Sequence, residues 1–198
     1  MSESWPRVST VLRDMGLKKP LPDLPQIEWG RARGQAVHRA IQLYEAGTLD
    51  QGRLHRDVVG PFRAYLSFKE RESFKMLTSE EPVSHPQLRY RGTLDQRGTA
   101  PDPLDINDRV IVDFKCGKPD LDACAYQVAA YAMAVHPHCL GNGWCVTLGD
   151  EGYRVHDLPL YEASETFKAA VRVWWAQREG IPKAYATGFA VPTSGQTE

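Results

Sequence analysis

Between Arg91 and Tyr131 the chain carries, in order, Arg91-Gly92-Thr93-Leu94-Asp95, then Val110-Ile111-Val112-Asp113-Phe114-Lys115, then a segment holding Gln127 and Tyr131. Two carboxylates brought to close range repel each other, and the usual remedies are a proton or a cation. Oxygen donors of this kind suit magnesium or manganese. A lysine beside such a pair can offset charge that develops on an anionic reactant.

These side chains are useful only if regular elements aim them. Residues Arg109 to Lys115 form a short apolar run rich in β-branched residues, which predicts a buried strand. Alternation along a strand points Asp113 and Lys115 the same way and sends Phe114 into the opposite core. Leu88 to Asp95 reads as a second strand, in which Gly92 suits a bulge or a close backbone approach that could bring Asp95 beside Asp113. Leu121 to Val135 is alanine-rich, free of Gly and Pro, and stopped by His136-Pro137, so it predicts a helix. Gln127 and Tyr131, four residues apart, share one of its faces. Upstream, a helix over Glu28 to Ala46 carries Arg33-Gly34 and Val37-His38. A lone helical histidine is more often a surface or hydrogen-bonded residue than a ligand. His38 gains weight only because the later motifs call for one more ligand.

The ordered set Gly34-x-x-x-His38, Gly92-x-x-Asp95, Asp113-x-Lys115 and Gln127-x-x-x-Tyr131 resembles the RecB-type branch of the PD-(D/E)XK nuclease superfamily. The opening Val8-Ser9-Thr10-Val11-Leu12-Arg13-Asp14-Met15-Gly16-Leu17 is most similar to the stand-alone phage exonucleases of that branch. The resemblance implies a restriction-endonuclease-like α/β core, a mixed central sheet of about five strands flanked by helices. It also implies that His38, Asp95, Asp113 and the backbone carbonyl of Phe114 bind Mg²⁺ or Mn²⁺, with Asp95, Asp113 and Lys115 as the catalytic set. Lys115 would position or activate the attacking water, and Gln127 and Tyr131 would steady the lysine or the DNA. The implied activity is that of a DNA exonuclease in phage-type recombination, replication or repair. It would act alone, as an oligomer, or beside a separately encoded annealing protein or helicase. The competing class is a DNA-binding or assembly subunit that grips DNA in the same cleft without cutting it. Taken singly, Asp113/Lys115 could be an ordinary ion pair and Gln127/Tyr131 a half-buried helix face. Glu80 or Glu81 could add a carboxylate, but a solvated surface position is the plainer expectation.

Composition narrows the setting. The 198 residues, 42% hydrophobic and 25% charged, suffice for one domain with a core. The net charge of −1 removes long-range attraction of DNA by the whole molecule, so any affinity must come from a local basic surface and the metal. Arg31, Arg33, Arg39, Arg53, Arg56 and Arg63 could rim such a surface, although solvated helix faces account for most of them. No apolar run reaches membrane-spanning length and the N-terminus lacks a signal-peptide stretch, so a soluble cytoplasmic protein is expected. Cys116, Cys124, Cys139 and Cys145 lack the spacing of a zinc site, of a disulfide framework or of the iron-sulfur cluster carried by some members of that branch, and free thiols are expected.

The expected organisation is one nuclease domain over residues 1–180. It comprises a Pro-rich arm (1–27) with a short helix at Ser9 to Met15, a helical region (28–70) with a second helix at Asp57 to Phe68, and a sheet core (73–157). A last helix (160–179) and a mobile tail (181–198) follow. Strands are expected at Ser73 to Leu77, Leu88 to Asp95, Val110 to Lys115, Gly143 to Leu148 and Tyr153 to Asp157. Gly149-Asp150-Glu151-Gly152 is a hairpin turn, and an exposed Pro/Asp/Gly-rich loop runs from Asp95 to Arg109. In the last helix Phe167, Val171, Trp174 and Trp175 form a packing stripe.

Overall fold

The computed structural model describes residues 5–101, 109–136 and 140–179. Helices α1 (Val8–Asp14), α2 (Pro25–Glu45) and α3 (Arg56–Arg71) precede strands β1 (Lys75–His85), β2 (Tyr90–Thr99) and β3 (Arg109–Lys115). Helix α4 (Leu121–Val135), β4 (Asn142–Leu148), β5 (Tyr153–Asp157) and α5 (Leu160–Glu179) complete the chain order. The strands form one five-stranded sheet in the order β1-β2-β3-β4-β5. It is mixed: β3 and β4 are parallel, joined through α4, and the other neighbours are antiparallel. The architecture is therefore α/β, a five-stranded mixed sheet flanked by helices, consistent with a restriction-endonuclease-like core.

Each face of the sheet buries its own core. On one side α1, α4 and α5 supply Val11, Leu12, Val128, Ala132, Phe167 and Val171. On the other, α2 and α3 supply Val37, Ile41, Phe62, Tyr65 and Phe68 against Val110, Val112 and Phe114. Buried on both faces, β3 reads as a continuous apolar run rather than an alternating one. Asp113 and Lys115 turn toward α4, while Phe114 is clamped edge-on by Tyr65 and Phe68, with ring centroids 5.4 and 5.8 Å away. That clamp fixes the backbone of the residue between the two charged side chains. Helix α4 starts where the Asp120 side chain accepts a hydrogen bond from the Ala123 amide at 3.2 Å, satisfying one of its orphan donors.

Three sequence expectations need correction. The first strand is not Ser73 to Leu77 but Lys75–His85. Its polar residues and Pro82 hid it, and both are tolerated because β1 lies at the sheet edge. The expected loop after Asp95 is still strand as far as Thr99. There the Gln96 side chain is satisfied in the interior by the Tyr65 hydroxyl at 2.9 Å, and Arg97 pairs with Glu81 at 2.6 Å. Gly92, expected to mark a bulge or a close backbone approach, carries no bulge; the register shift lies in β1 between Met76 and Thr78. What crowds Gly92 is a side chain, the ring of Tyr131.

The hairpin closes as expected, the Gly149 amide donating to the Gly152 carbonyl at 2.8 Å. The packing stripe on α5 is also present. Phe167 and Val171 are fully buried, and Trp174 and Trp175 donate to Asp14 and to the Leu88 carbonyl. Residues 102–108 of the expected loop, Cys139 and the expected tail after 180 lie outside the described residues. Among the described residues no helix is long and apolar enough to cross a membrane, and Cys116, Cys124 and Cys145 are free thiols.

Candidate active site

The site forms where β2 and β3 part. Their ladder runs from Thr99↔Arg109 to Gln96↔Val112 and stops. The next β3 donor on that side, the Phe114 amide, is taken by the Asp95 side chain instead, with Oδ2 accepting at 2.8 Å. A carboxylate thus replaces a strand in the ladder, and the gap beside it is open to other groups. His38 of α2 enters that gap. Its Nε2 lies 3.1 Å from the Phe114 carbonyl oxygen and its Nδ1 lies 3.5 Å from Asp95 Oδ1.

On the α4 side, Lys115 Nζ sits 2.5 Å from Asp113 Oδ2. Gln127 Nε2 donates to Asp113 Oδ1 at 3.0 Å and reaches the Tyr131 hydroxyl at 3.3 Å. Asp113 is 2% exposed, so both its oxygens are held by protein groups in a nearly dry setting. Behind it the thiols of Cys124 and Cys145 lie 3.5 Å apart, the first 3.7 Å from Asp113 Oδ2. Weak donors of this kind back the carboxylate without charging it.

The electrostatics follow from that packing. Burial disfavours the charged imidazole of His38, but the hydrogen bond and charge of Asp95 outweigh it and raise the group to about 9. Burial works against an ionised Asp95 too, yet His38 and Lys115 hold it below the usual carboxylate range. Asp113 is pushed up by burial against the pull of Lys115, with Asp95 adding to the rise. Lys115 stays firmly protonated: burial opposes its charge, but Asp113 and Asp95 together prevail. The cluster therefore concentrates acidic groups in little water and draws positive charge toward them.

Seven of the residues singled out from the sequence meet here: His38, Asp95, Asp113, Phe114, Lys115, Gln127 and Tyr131. Arg33 and Arg39 do not join them. Arg33 donates to the Asp57 carbonyl at 2.9 Å and to Asp150 at 2.6 Å, tying α2 to α3 and to the β4–β5 turn. Arg39 bonds Gln42 on its own helix.

Glu80, expected as a solvated surface carboxylate, is partly buried; its Oε1 approaches His38 Nδ1 to 4.0 Å, and it falls into one potential ligand group with His38 and Asp95. Its backbone lies in the left-handed region at φ 51°, which few non-glycine residues occupy. Burial and then the nearby Asp95 raise its carboxyl. Glu81, by contrast, is absorbed by Arg97 and Thr78. Alternation along β1 sends these neighbours to opposite faces, and the pairing of β1 with β2, Ser79 with Gln96 and Glu81 with Leu94, sets Glu80 across from Asp95.

His38, Glu80 and Asp95 bring one potential ligand atom each within 4.8 Å of one another, a nitrogen and carboxylate set that suits a divalent cation, while Asp113 groups with the thiols of Cys124 and Cys145.

No family model matches the chain, and no curated protein does. Among solved structures it is similar to an alkaline exonuclease (LHK-Exo) from Laribacter hongkongensis, with TM-score 0.34 and 12% identity over 85% of this chain and 80% of that one. It is also similar to the protein SSO0001, with TM-score 0.31 and 10% identity over 84% of each chain.

Proposed function

We propose that this chain is a metal-dependent deoxyribonuclease of the RecB-like branch of the PD-(D/E)XK superfamily, an exonuclease that hydrolyses phosphodiester bonds. The observation that carries the reading is the convergence, from α2, β2, β3 and α4, of His38, Asp95, the Phe114 carbonyl and Asp113, with Lys115 2.5 Å from the last. An ordinary surface ion pair needs neither a ladder donor diverted to Asp95 nor a buried carboxylate held from three sides.

His38, Asp95, Asp113 and the Phe114 carbonyl would hold Mg²⁺ or Mn²⁺, with Glu80 beside them. Once bound, such an ion supplies Lewis-acid activation of water and neutralises charge at the phosphate. The chain's own groups supply the rest. Lys115, held as an ammonium by Asp113 and Asp95, donates hydrogen bonds to the attacking water and to the phosphoryl oxygen that gains charge. Because it stays protonated, it stabilises charge rather than taking a proton. Gln127 fixes the Asp113 carboxylate, and the Tyr131 hydroxyl steadies Gln127. Water adds at phosphorus as the ester P–O bond breaks, and one water proton, released to solvent, is replaced on the departing oxygen, leaving a phosphate monoester and a free hydroxyl.

The test is to incubate the protein with end-labelled linear and covalently closed circular DNA, single- and double-stranded, with Mg²⁺, Mn²⁺ or EDTA, beside Asp113→Ala and Lys115→Ala. Metal-dependent loss of linear but not circular DNA, abolished in folded variants, is the expected result. Cutting of circles would make the enzyme an endonuclease. Full activity in both variants would remove the site assignment, and no cleavage under any condition would favour a non-cleaving DNA-binding subunit.

A further inference from the structure

A cleft of about 650 Å³ opens from Lys115 and runs between the N-terminal arm with α1 on one side and the paired ends of β1 and β2 on the other. Its lining includes Trp5, Arg7, Lys18, Arg91 and Lys115, and among the described residues it contains no carboxylate. Arg7 and Lys18 stand exposed in that lining, and the Lys115 charge at its inner end is shared with Asp113. We infer that this cleft seats the sugar-phosphate backbone of a single nucleic-acid strand leading away from the reaction centre, with Trp5 offering a ring for a base at its far end.

The inference rests on the nuclease reading for the identity of the polyanion; the geometry comes from the cleft itself. The arm is pinned, not draped. The Arg91 amide donates to the Pro6 carbonyl and the Arg91 Nε to the Trp5 carbonyl, both at 3.0 Å. Arg7 pairs with Arg91 in a parallel bridge, filling the space where β2 has left β3. Lys18 is placed by its own amide, which donates to the Leu12 carbonyl at 3.1 Å. The walls therefore stand before any ligand arrives, which lowers the ordering cost of binding.

Size and direction select one strand. Arg91 lies four residues before Asp95, about 13 Å along an extended chain, so the basic wall continues well past a single phosphate. The volume is that of a small-ligand pocket, roughly 300–1,000 Å³, which a short stretch of one strand can enter and a stacked duplex cannot. A positive groove with an aromatic platform is the general device for gripping single strands without reading their sequence.

The test measures binding of a fluorescent oligothymidine and of a blunt duplex to the full chain in EDTA, across a salt series, by anisotropy. Arg7→Ala/Lys18→Ala is compared with Arg71→Ala/Lys75→Ala, which removes the same charge where α3 runs into β1, at the opposite end of the sheet. The cleft variant is expected to flatten the plot of log affinity against log salt by about 1.4, two contacts at about 0.7 each, and the control to leave it unchanged. Trp5→Ala is expected to weaken single-strand binding roughly five-fold or more. Should the double variant melt early, Lys18→Ala alone, at an exposed position, is expected to flatten the slope by about 0.7. An unchanged slope, an equal change in the control, or tighter binding of duplex than of single strand overturns the inference. DNA cleavage with an unchanged slope would remove the groove and leave the nuclease reading. A flattened slope with no cleavage under any metal would do the reverse.

Discussion

Gly92 of β2 lies against the ring of Tyr131 of α4 so closely that a Cβ at position 92 would stand 2.5 Å from Cε1. The missing side chain thus sets how near α4 can approach the strand that leads to Asp95. Gly92→Ala is expected to destabilise the fold by about 1–3 kcal/mol through overpacking and to displace the Tyr131 ring. Pairing it with Tyr131→Ala should recover part of the loss, so a double-mutant cycle by thermal melting checks the contact; strict additivity would mean that the ring does not feel the new methyl.

Gln127 holds Asp113 at 3.0 Å, which places it behind a proposed metal ligand. Gln127→Ala is expected to lower kcat or metal affinity by about 10–100-fold, the usual cost of losing a group that orients a ligand. Steady-state kinetics on a labelled oligonucleotide decide: a rise in KM alone would assign the amide to the DNA instead.

The two adjacent glutamates should behave differently. Glu80→Gln is expected to raise the metal concentration needed for activity, because its carboxylate adjoins His38 and Asp95. Glu81→Gln is expected to act on stability through the Arg97 pair, with the metal titration unmoved. Equal effects on the metal titration would return Glu80 to the surface.

The raised His38 group gives a pH dependence with a definite sign. Without metal the imidazole keeps its proton up to about pH 9, so a metal ion must displace that proton below this value. Apparent Mn²⁺ affinity should climb by up to about ten-fold per pH unit through neutrality and level off above about 9. The proton also links to folding. Its contribution in the metal-free protein is complete below the ordinary value of 6.5 and fades as pH rises through about 9. Titration calorimetry of Mn²⁺ binding across this range, with His38→Ala as reference, measures the first effect. An affinity slope unchanged in the variant would show that His38 is not the group displaced.

Much of this fold was legible because it depends on local pattern. Helix α4 and strand β5 occupy the residues that alanine content, turn signals and strand propensity assign to them, Leu121–Val135 and Tyr153–Asp157. Period-two alternation also separates Asp113 and Lys115 from Phe114 on opposite faces of β3. The misread parts were polar strands. Gln96, Arg97 and Glu81 look like loop residues until Tyr65 meets Gln96 and the pairing of β1 with β2 brings Arg97 to Glu81 and Thr78.

By itself the sequence determined which side chains could take part and in what order, since residue chemistry and the two-fold or 3.6-fold periods are local properties. Tertiary structure alone decided that β2 leaves β3 after Gln96, that Asp95 takes the freed Phe114 amide, and that His38 fills the gap. It also turned Glu80 toward the cluster, tied Arg33 away from it, and laid Trp5 to Arg7 along the opening between the strands. Each depends on contacts between segments far apart in sequence. Such contacts follow from how two cores pack against one twisted sheet, and no window of neighbouring residues contains that information.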